Sequence, residues 1–296
     1  KLPAVFLVML CTSSSRPSAF EIYMDNTCLG LSSAINKFWH ALFISFTSLL
    51  FFSSSALADH WHSNAYIADS FIKIALPDNA LNKVSGIKKW QQPIYYKIQH
   101  NIADQALHER LVALHFSQLT AITGLKIQAA DSRHPANLTV VLTSEQHYQR
   151  DIGHYFQLSN NATITNLARQ LGAATLFTRQ NGSIQQAAVV IPTDRARAEA
   201  KLLSSLSEML TQVVGLSYRS LEVSPSILNK ISHNDFLSGL DYLLLKLLYD
   251  KRVKSGISAQ QAKKIVDDII IETDFQQYIQ QADLTVKQQG LYPLLN

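Results

Sequence analysis

Residues 202–249 read LLSSLSEMLTQVVGL (202–216), SYRSLEVSPSILNKISHNDF (217–236) and LSGLDYLLLKLLY (237–249). In the first segment Leu202, Leu203, Leu206, Met209, Leu210, Val213 and Val214 fall on one broad helical face, with Glu208 and Gln212 one turn apart on the other. Gly215 follows the last periodic residue and predicts the helix end, because glycine takes a left-handed conformation without a Cβ penalty. In the third segment Ser238 and Asp241 have the spacing of a capping box, with Asp in place of the usual Glu. The turns after them are apolar nearly all round, which predicts a helix buried between neighbours. The stretch between, Ser217 to Asp235, reads as an irregular connection.

Polar side chains at i and i+4, followed by glycine three residues later, have the spacing of the zincin metal-binding helix, His-Glu-x-x-His-x-x-Gly. The histidine positions are Glu208 and Gln212, the general-base position is Met209, and the third-ligand position of the long form falls on Tyr218. Zinc takes imidazole, thiolate or carboxylate, and its hydrolytic chemistry needs a base beside the bound water. Methionine supplies none. Pro225-Ser226-Ile227-Leu228 resembles the turn that passes beneath the metal in zincins, and Asp241 through Leu248-Tyr249 resembles the helix that closes their lower part.

The order Glu-x-x-x-Gln-x-x-Gly-Leu, Pro-Ser-Ile, Asp-x-Leu-Leu-Leu-x-Leu-Leu-Tyr-Asp is similar to an exported bacterial family, domain of unknown function 2927. The resemblance runs from about Ile87 to Ile257 and is most specific between Glu208 and Asp250. It departs from the family at Met209, where a second acidic residue is common, and at Ser217 and Tyr218, where an Asn-Asp pair follows Gly-Leu. The family carries no established activity, so the resemblance bears on location and fold more than on chemistry. It implies Glu208, Gln212, Tyr218, Ser226 and Asp241 as binding residues of a degenerate site. Gly215, Leu216, Pro225, Ile227 and Tyr249 are its structural residues. No residue is assigned as catalytic or as a metal ligand.

With 296 residues, 47% of them hydrophobic and 16% charged, the chain is long enough for a sizeable core and too apolar for disorder. A net charge of +4, with no basic run longer than a pair such as Lys88-Lys89, lacks the footprint of a nucleic-acid binder. Lys37, the apolar run Ala41 to Phe52 and the small residues up to Ala56-Leu57-Ala58 form the three regions of a secretory signal. The run is shorter than the about 20 residues a membrane-spanning helix needs. Cleavage after Ala58 is expected, leaving a periplasmic or secreted protein with no membrane attachment. Residues 1–36 show no clear pattern and read as a truncated or misassigned leader. Both cysteines, Cys11 and Cys28, precede the cleavage point, so the mature chain would have neither a disulfide nor thiol chemistry.

After the leader and signal (1–58), residues 59–86 read as an N-terminal linker, with His60 and His62 in a flexible tail. Residues 87–290 read as one domain, 87–215 holding the sheet and motif helix and 216–290 being mostly helical. Ile87 to Gln99 is strand-like and interrupted by Pro93. Asp104 begins a helix to Thr123, closed by Gly124, with His108 and His115 on one side. Leu125 to Ala129 and Leu138 to Thr143 are strands, and Gln146 to Tyr155 is a polar loop or surface helix. Ala173 to Arg179 and Ser183 to Pro192 flank Asn181-Gly182, a hairpin signal in which both central residues take positive φ. Thr193 or Asp194 caps the helix that carries Glu208 and Gln212. Ser258 and Gln261 form a clearer capping box for a last helix, Ala259 to about Gln281, followed by a tail. The predicted fold is α+β and zincin-like, a mixed β-sheet with helices followed by a mostly helical C-terminal part.

Three functional readings stay open. In the first, a non-catalytic zincin-like domain without a cofactor acts in the cell envelope, binding a peptide, a protein or an envelope component. In the second, Glu208, Gln212 and a residue such as Asp241 hold zinc or another divalent cation for peptidase-like hydrolysis. In the third, Glu208 and Gln212 are the solvated face of a core helix and the domain is structural. A serine nucleophile is not supported, because Ser207, Ser226 and Ser238 lack the Gly-x-Ser-x-Gly elbow and His233 is the only nearby histidine.

Overall fold

The computed structural model describes residues 60–76, 86–231 and 234–295. The leader, the signal and His233 lie outside the described residues. Six strands form one sheet: β1 (Lys89–Trp90), β2 (Ile94–His100), β3 (Ile127–Ala129), β4 (Leu138–Thr143), β5 (Ala173–Thr178) and β6 (Ser183–Pro192). The order β3-β2-β4-β6 is parallel throughout, β1 adds a parallel pair at Ser183 and Ile184, and β5 runs antiparallel to β6. The sheet is therefore mostly parallel, and its central strands are buried on both faces, as parallel sheets are. Leu138, Val140 and Leu142 with Ala187, Val189 and Ile191 face the main core, while Val141, Ala188 and Val190 face a smaller one. Alternation with period two explains how the unbroken apolar run of β6 serves both sides.

Nine helices flank the sheet among the described residues: α1 (Asn64–Ala75), α2 (Gln105–Thr123), α3 (Glu145–Phe156), α4 (Asn161–Ala168), α5 (Thr193–Ala198), α6 (Leu202–Gln212), α7 (Gly239–Tyr249), α8 (Ala259–Ile270) and α9 (Thr273–Lys287). The smaller core lies under α3 and α4, where Tyr148, Ile152, Phe156 and Ile164 meet the sheet. The main core is shared by α1, α2 and α6 to α9, with the apolar α7 touching α1, α2 and α9. The fold is α+β, with a helical C-terminal part packed on the same core as the sheet.

Several elements differ from the sequence reading. The supposed linker holds α1, capped by Ser63, whose Oγ accepts from the Tyr66 amide, and it buries Ile67, Ala68, Phe71 and Ile74 at helical spacing. Trp61 is buried and His62 stacks on it with ring centroids 3.7 Å apart, so His60–His62 is a short helix and not a loose tail. The helix expected to run from Thr193 through Gln212 is broken into α5 and α6, with Ala200 at φ 55° between them. The last helix is likewise split into α8 and α9 at Ile271 and Glu272. The β5–β6 turn closes with the Gly182 amide on the Arg179 carbonyl at 3.0 Å, and of Asn181 and Gly182 only the glycine has positive φ, at 76°. That is the longer hairpin loop with a terminal left-handed glycine, not the two-residue turn. Gln146 to Tyr155 is helical within α3, and α4, capped by the Asn160 side chain, has no counterpart in the sequence reading.

Candidate functional site

The site is organised by α6. Its apolar face, Leu206, Met209, Leu210 and Val213, is buried as the periodicity predicts. The opposite face is not the solvated one that the purely structural reading requires. Thr211 is wholly buried, with its Oγ1 3.1 Å from Nε2 of His115 on α2, and Gln212 is buried as well. His115 is pushed down to about 3 by burial, so it stays a neutral partner of Thr211. His108, expected on the same side, is buried too but goes elsewhere, with Nε2 3.3 Å from Arg197 Nη2.

Glu208 is the one carboxylate on α6, and its side chain keeps only 14% of its accessible surface. Gln212 Nε2 donates to Glu208 Oε1 at 3.0 Å, one helical turn away. Arg219 Nε stands 2.8 Å from the same oxygen, and Arg219 Nη1 donates to Gln170 Oε1 at 3.1 Å. The Nε–H of Arg219 does not point along the Nε–Oε1 line, so the contact with Glu208 is an ion pair more than a hydrogen bond. Burial pushes the Glu208 carboxyl up to about 7, against the pull of the Arg219 guanidinium.

The end of α6 is held by partners distant in sequence. The Trp90 indole donates to the Val213 carbonyl at 2.7 Å and the Tyr249 hydroxyl to the Val214 carbonyl at 2.8 Å. These are the carbonyls a helix end leaves without an internal partner. Gly215 then turns away at φ 122°, where a Cβ would overlap the Lys88 carbonyl oxygen, and Leu216 enters the core. The Pro225-Ser226-Ile227 turn is fastened to α7 by Asp241. The Ser226 hydroxyl donates to Asp241 Oδ1, the Ile227 amide to Oδ2 at 2.9 Å, and the Ser238 amide to Oδ2 at 2.8 Å, completing the capping box. The Ser238 hydroxyl donates to the Pro225 carbonyl at 2.8 Å. Burial raises the Asp241 carboxyl, opposed by the hydrogen bonds from Ser226, Ile227 and Ser238.

A cleft of about 380 Å³ opens over Glu208. Its walls come from the Arg169–Gly172 connection, the first turns of α6 with Ser204 and Ser205, Arg219, and the Ile227 and Asn229–Lys230 stretch. Met209, at the general-base position of the resembled motif, lines it too, and packs so closely on Gly172 that a Cβ there would lie 2.7 Å from Met209 Cγ. Basic side chains outnumber acidic ones: Arg169, Lys201, Arg219 and Lys230 against Glu199 and Glu208.

Of the five residues implied as binding, Glu208 lines the cleft, and Gln212 reaches it through its bond to Glu208. Ser226, in the turn that supports it, and Asp241, on α7, are buried away from its surface. Tyr218 faces another way, its amide donating to the Ile74 carbonyl at 3.1 Å and its ring lying 5.6 Å from Lys88 Nζ. Arg169, Lys201, Arg219 and Lys230 were not anticipated, since they stand in connections or at a helix edge with no periodic signal.

No group of three or more His, Cys, Asp or Glu side chains is placed to hold a metal ion among the described residues. The neighbours of Glu208 are an amide and a guanidinium, and a guanidinium 2.8 Å from the one carboxylate opposes a cation there. The donor set does not fit zinc.

Fold and site together define an α+β protein with a mostly parallel sheet and a basic cleft built on a half-buried glutamate. Residues 64–268 match the family described as protein of unknown function (DUF2927), and the chain belongs to that family. The match takes in α1, ahead of the stretch from Ile87 that carries the resemblance. No curated protein and no solved structure matches the chain.

Proposed function

We propose that this is an exported, non-catalytic binding protein of the cell envelope, zincin-like in plan, whose cleft over Glu208 holds a peptide, a protein segment or another envelope component. The observation that carries the reading is the state of Glu208. Its carboxylate is engaged by Arg219 and Gln212, with Met209 packed beside it where a hydrolytic base would stand. The zincin-like plan draws support from the Ser226-Ile227 turn pinned to α7 and from the β5–β6 hairpin that precedes the motif helix, although α3 and α4 stand between β4 and that hairpin and α5 between the hairpin and α6. Burial of Gln212 weighs against the purely structural reading, which takes α6 as an ordinary helix with one wet face.

Purified mature protein is expected to carry no stoichiometric zinc by elemental analysis and to cleave no peptide. One zinc per chain, lost together with a measurable hydrolysis in Glu208→Ala, would replace this reading with a metal-dependent hydrolase of unorthodox ligand set.

A further inference from the structure

The charges of the cleft over Glu208 do not balance within it. Lys201 lies 3.8 Å from Asp235 and Glu199 lies 3.9 Å from Arg195, so both have partners at the rim. Arg169 and Lys230 have no carboxylate at ion-pair distance among the described residues, although both line the cleft. Arg219 spends Nη1 on Gln170 and Nε on Glu208, which leaves Nη2 without a partner among the described residues. Ser205, 6% exposed, also lines the cleft, and its hydroxyl has no hydrogen bond among the described residues. α6 begins beside these groups with no side chain capping its first amides.

From this arrangement we infer that the cleft is an oxyanion site, in which a carboxylate, phosphate or sulfate group of the ligand takes the Arg219 guanidinium from Glu208 and is flanked by Arg169 and Lys230. Glu208 is then a built-in competitor, an internal carboxylate that occupies the guanidinium until an external one displaces it. A planar guanidinium suits this exchange, since its fork donates two parallel N–H bonds to two oxygens of one oxyanion. The inference rests on the binding reading of the same cleft and adds the chemical class of what is bound.

Isothermal titration of the purified mature protein with sodium sulfate, and separately with sodium acetate, tests it at fixed pH and ionic strength. Glu208→Gln removes the competing charge and keeps the side-chain shape. It is expected to bind about tenfold more tightly than the wild type, the size of gaining one charged hydrogen-bond partner. The double variant Arg169→Ala/Lys230→Ala changes two exposed side chains and is expected to weaken binding by about tenfold or more with an unchanged melting temperature. Preference for sulfate assigns a tetrahedral oxyanion, preference for acetate a carboxylate, and either supports the site. Failure of both anions to bind wild type and a folded Glu208→Gln overturns it, as does equal affinity across all variants. Zinc-dependent hydrolysis with anion binding intact would overturn only the non-catalytic reading. Absence of zinc, hydrolysis and anion binding together would overturn only this inference.

Discussion

Glu208 shows how one half-buried carboxyl makes stability depend on pH. Its value in the fold, about 7, lies above the 4.5 of a free side chain, so between those values the folded state holds more protons than the unfolded. The stability this contributes is fully present below about 4.5 and is lost as pH rises through 7. Urea unfolding at pH 5 and pH 8 is expected to show the wild type losing up to about 3 kcal/mol relative to Glu208→Gln. A difference between the two proteins that does not change with pH would mean that Glu208 titrates as a free carboxyl. Gly215 makes a sharper demand, since any side chain there meets both a positive φ and the Lys88 carbonyl. Gly215→Leu is expected to cost about 3 kcal/mol or more, against about 1 kcal/mol for Gln212→Ala, which removes one donor from Glu208. Equal melting temperatures would refute the role given to Gly215. That glycine could be read from the sequence because its conformation is a local property of the chain. Arg219 could not, because what matters about it is a contact with Glu208 that only the folded backbone creates.

Between α6 and α7 the connection is irregular, yet Asp241 gives it a fixed path. With its acceptors taken by Ser226, Ile227 and Ser238, removing the carboxylate leaves several buried donors without a partner. Asp241→Ala is expected to lower unfolding free energy by about 3–5 kcal/mol and to expose residues 217–235 to proteolysis before the rest of the chain. Asp241→Asn is expected to fall between, and a proteolysis pattern unchanged in Asp241→Ala would contradict the fastening role. The capping boxes at Ser238 and Ser258 were legible because a helix start is encoded within four residues. Strand β4 was legible to its last residue for a similar reason, as a short apolar run bounded by polar turns. The break at Ala200 was not, because a non-glycine residue at positive φ carries no mark in the sequence. α1 was hidden by its mixed composition, although Ser63 and the spacing of Ile67, Phe71 and Ile74 were there to be read. The cleft was least legible of all, since most of its cations sit outside regular periodicity and are brought together by separate connections.

For the molecule as a whole, export is the claim with the most direct test. Intact-mass measurement of protein from its native host is expected to show Asp59 as the first residue, and a mature chain that retains Phe38 to Phe52 would overturn the signal reading. A cut after Ala58 leaves Trp61 and the whole of α1 with the fold, where both are buried. The first helix does not pack on its sequence neighbours. It lies on α8 and α7, and Gln276 Nε2 donates to Asn64 Oδ1 at 3.0 Å across 212 residues of chain. A chain threaded through a membrane from its N-terminus delivers α1 first and α8 nearly last. On the proposed export route Ile67, Phe71 and Ile74 would therefore wait in water, without their partners, for almost the whole passage. On that route closure of this core would be timed by the arrival of the tail, so the order of transit, and not the local propensity of α1, would set when the protein becomes itself.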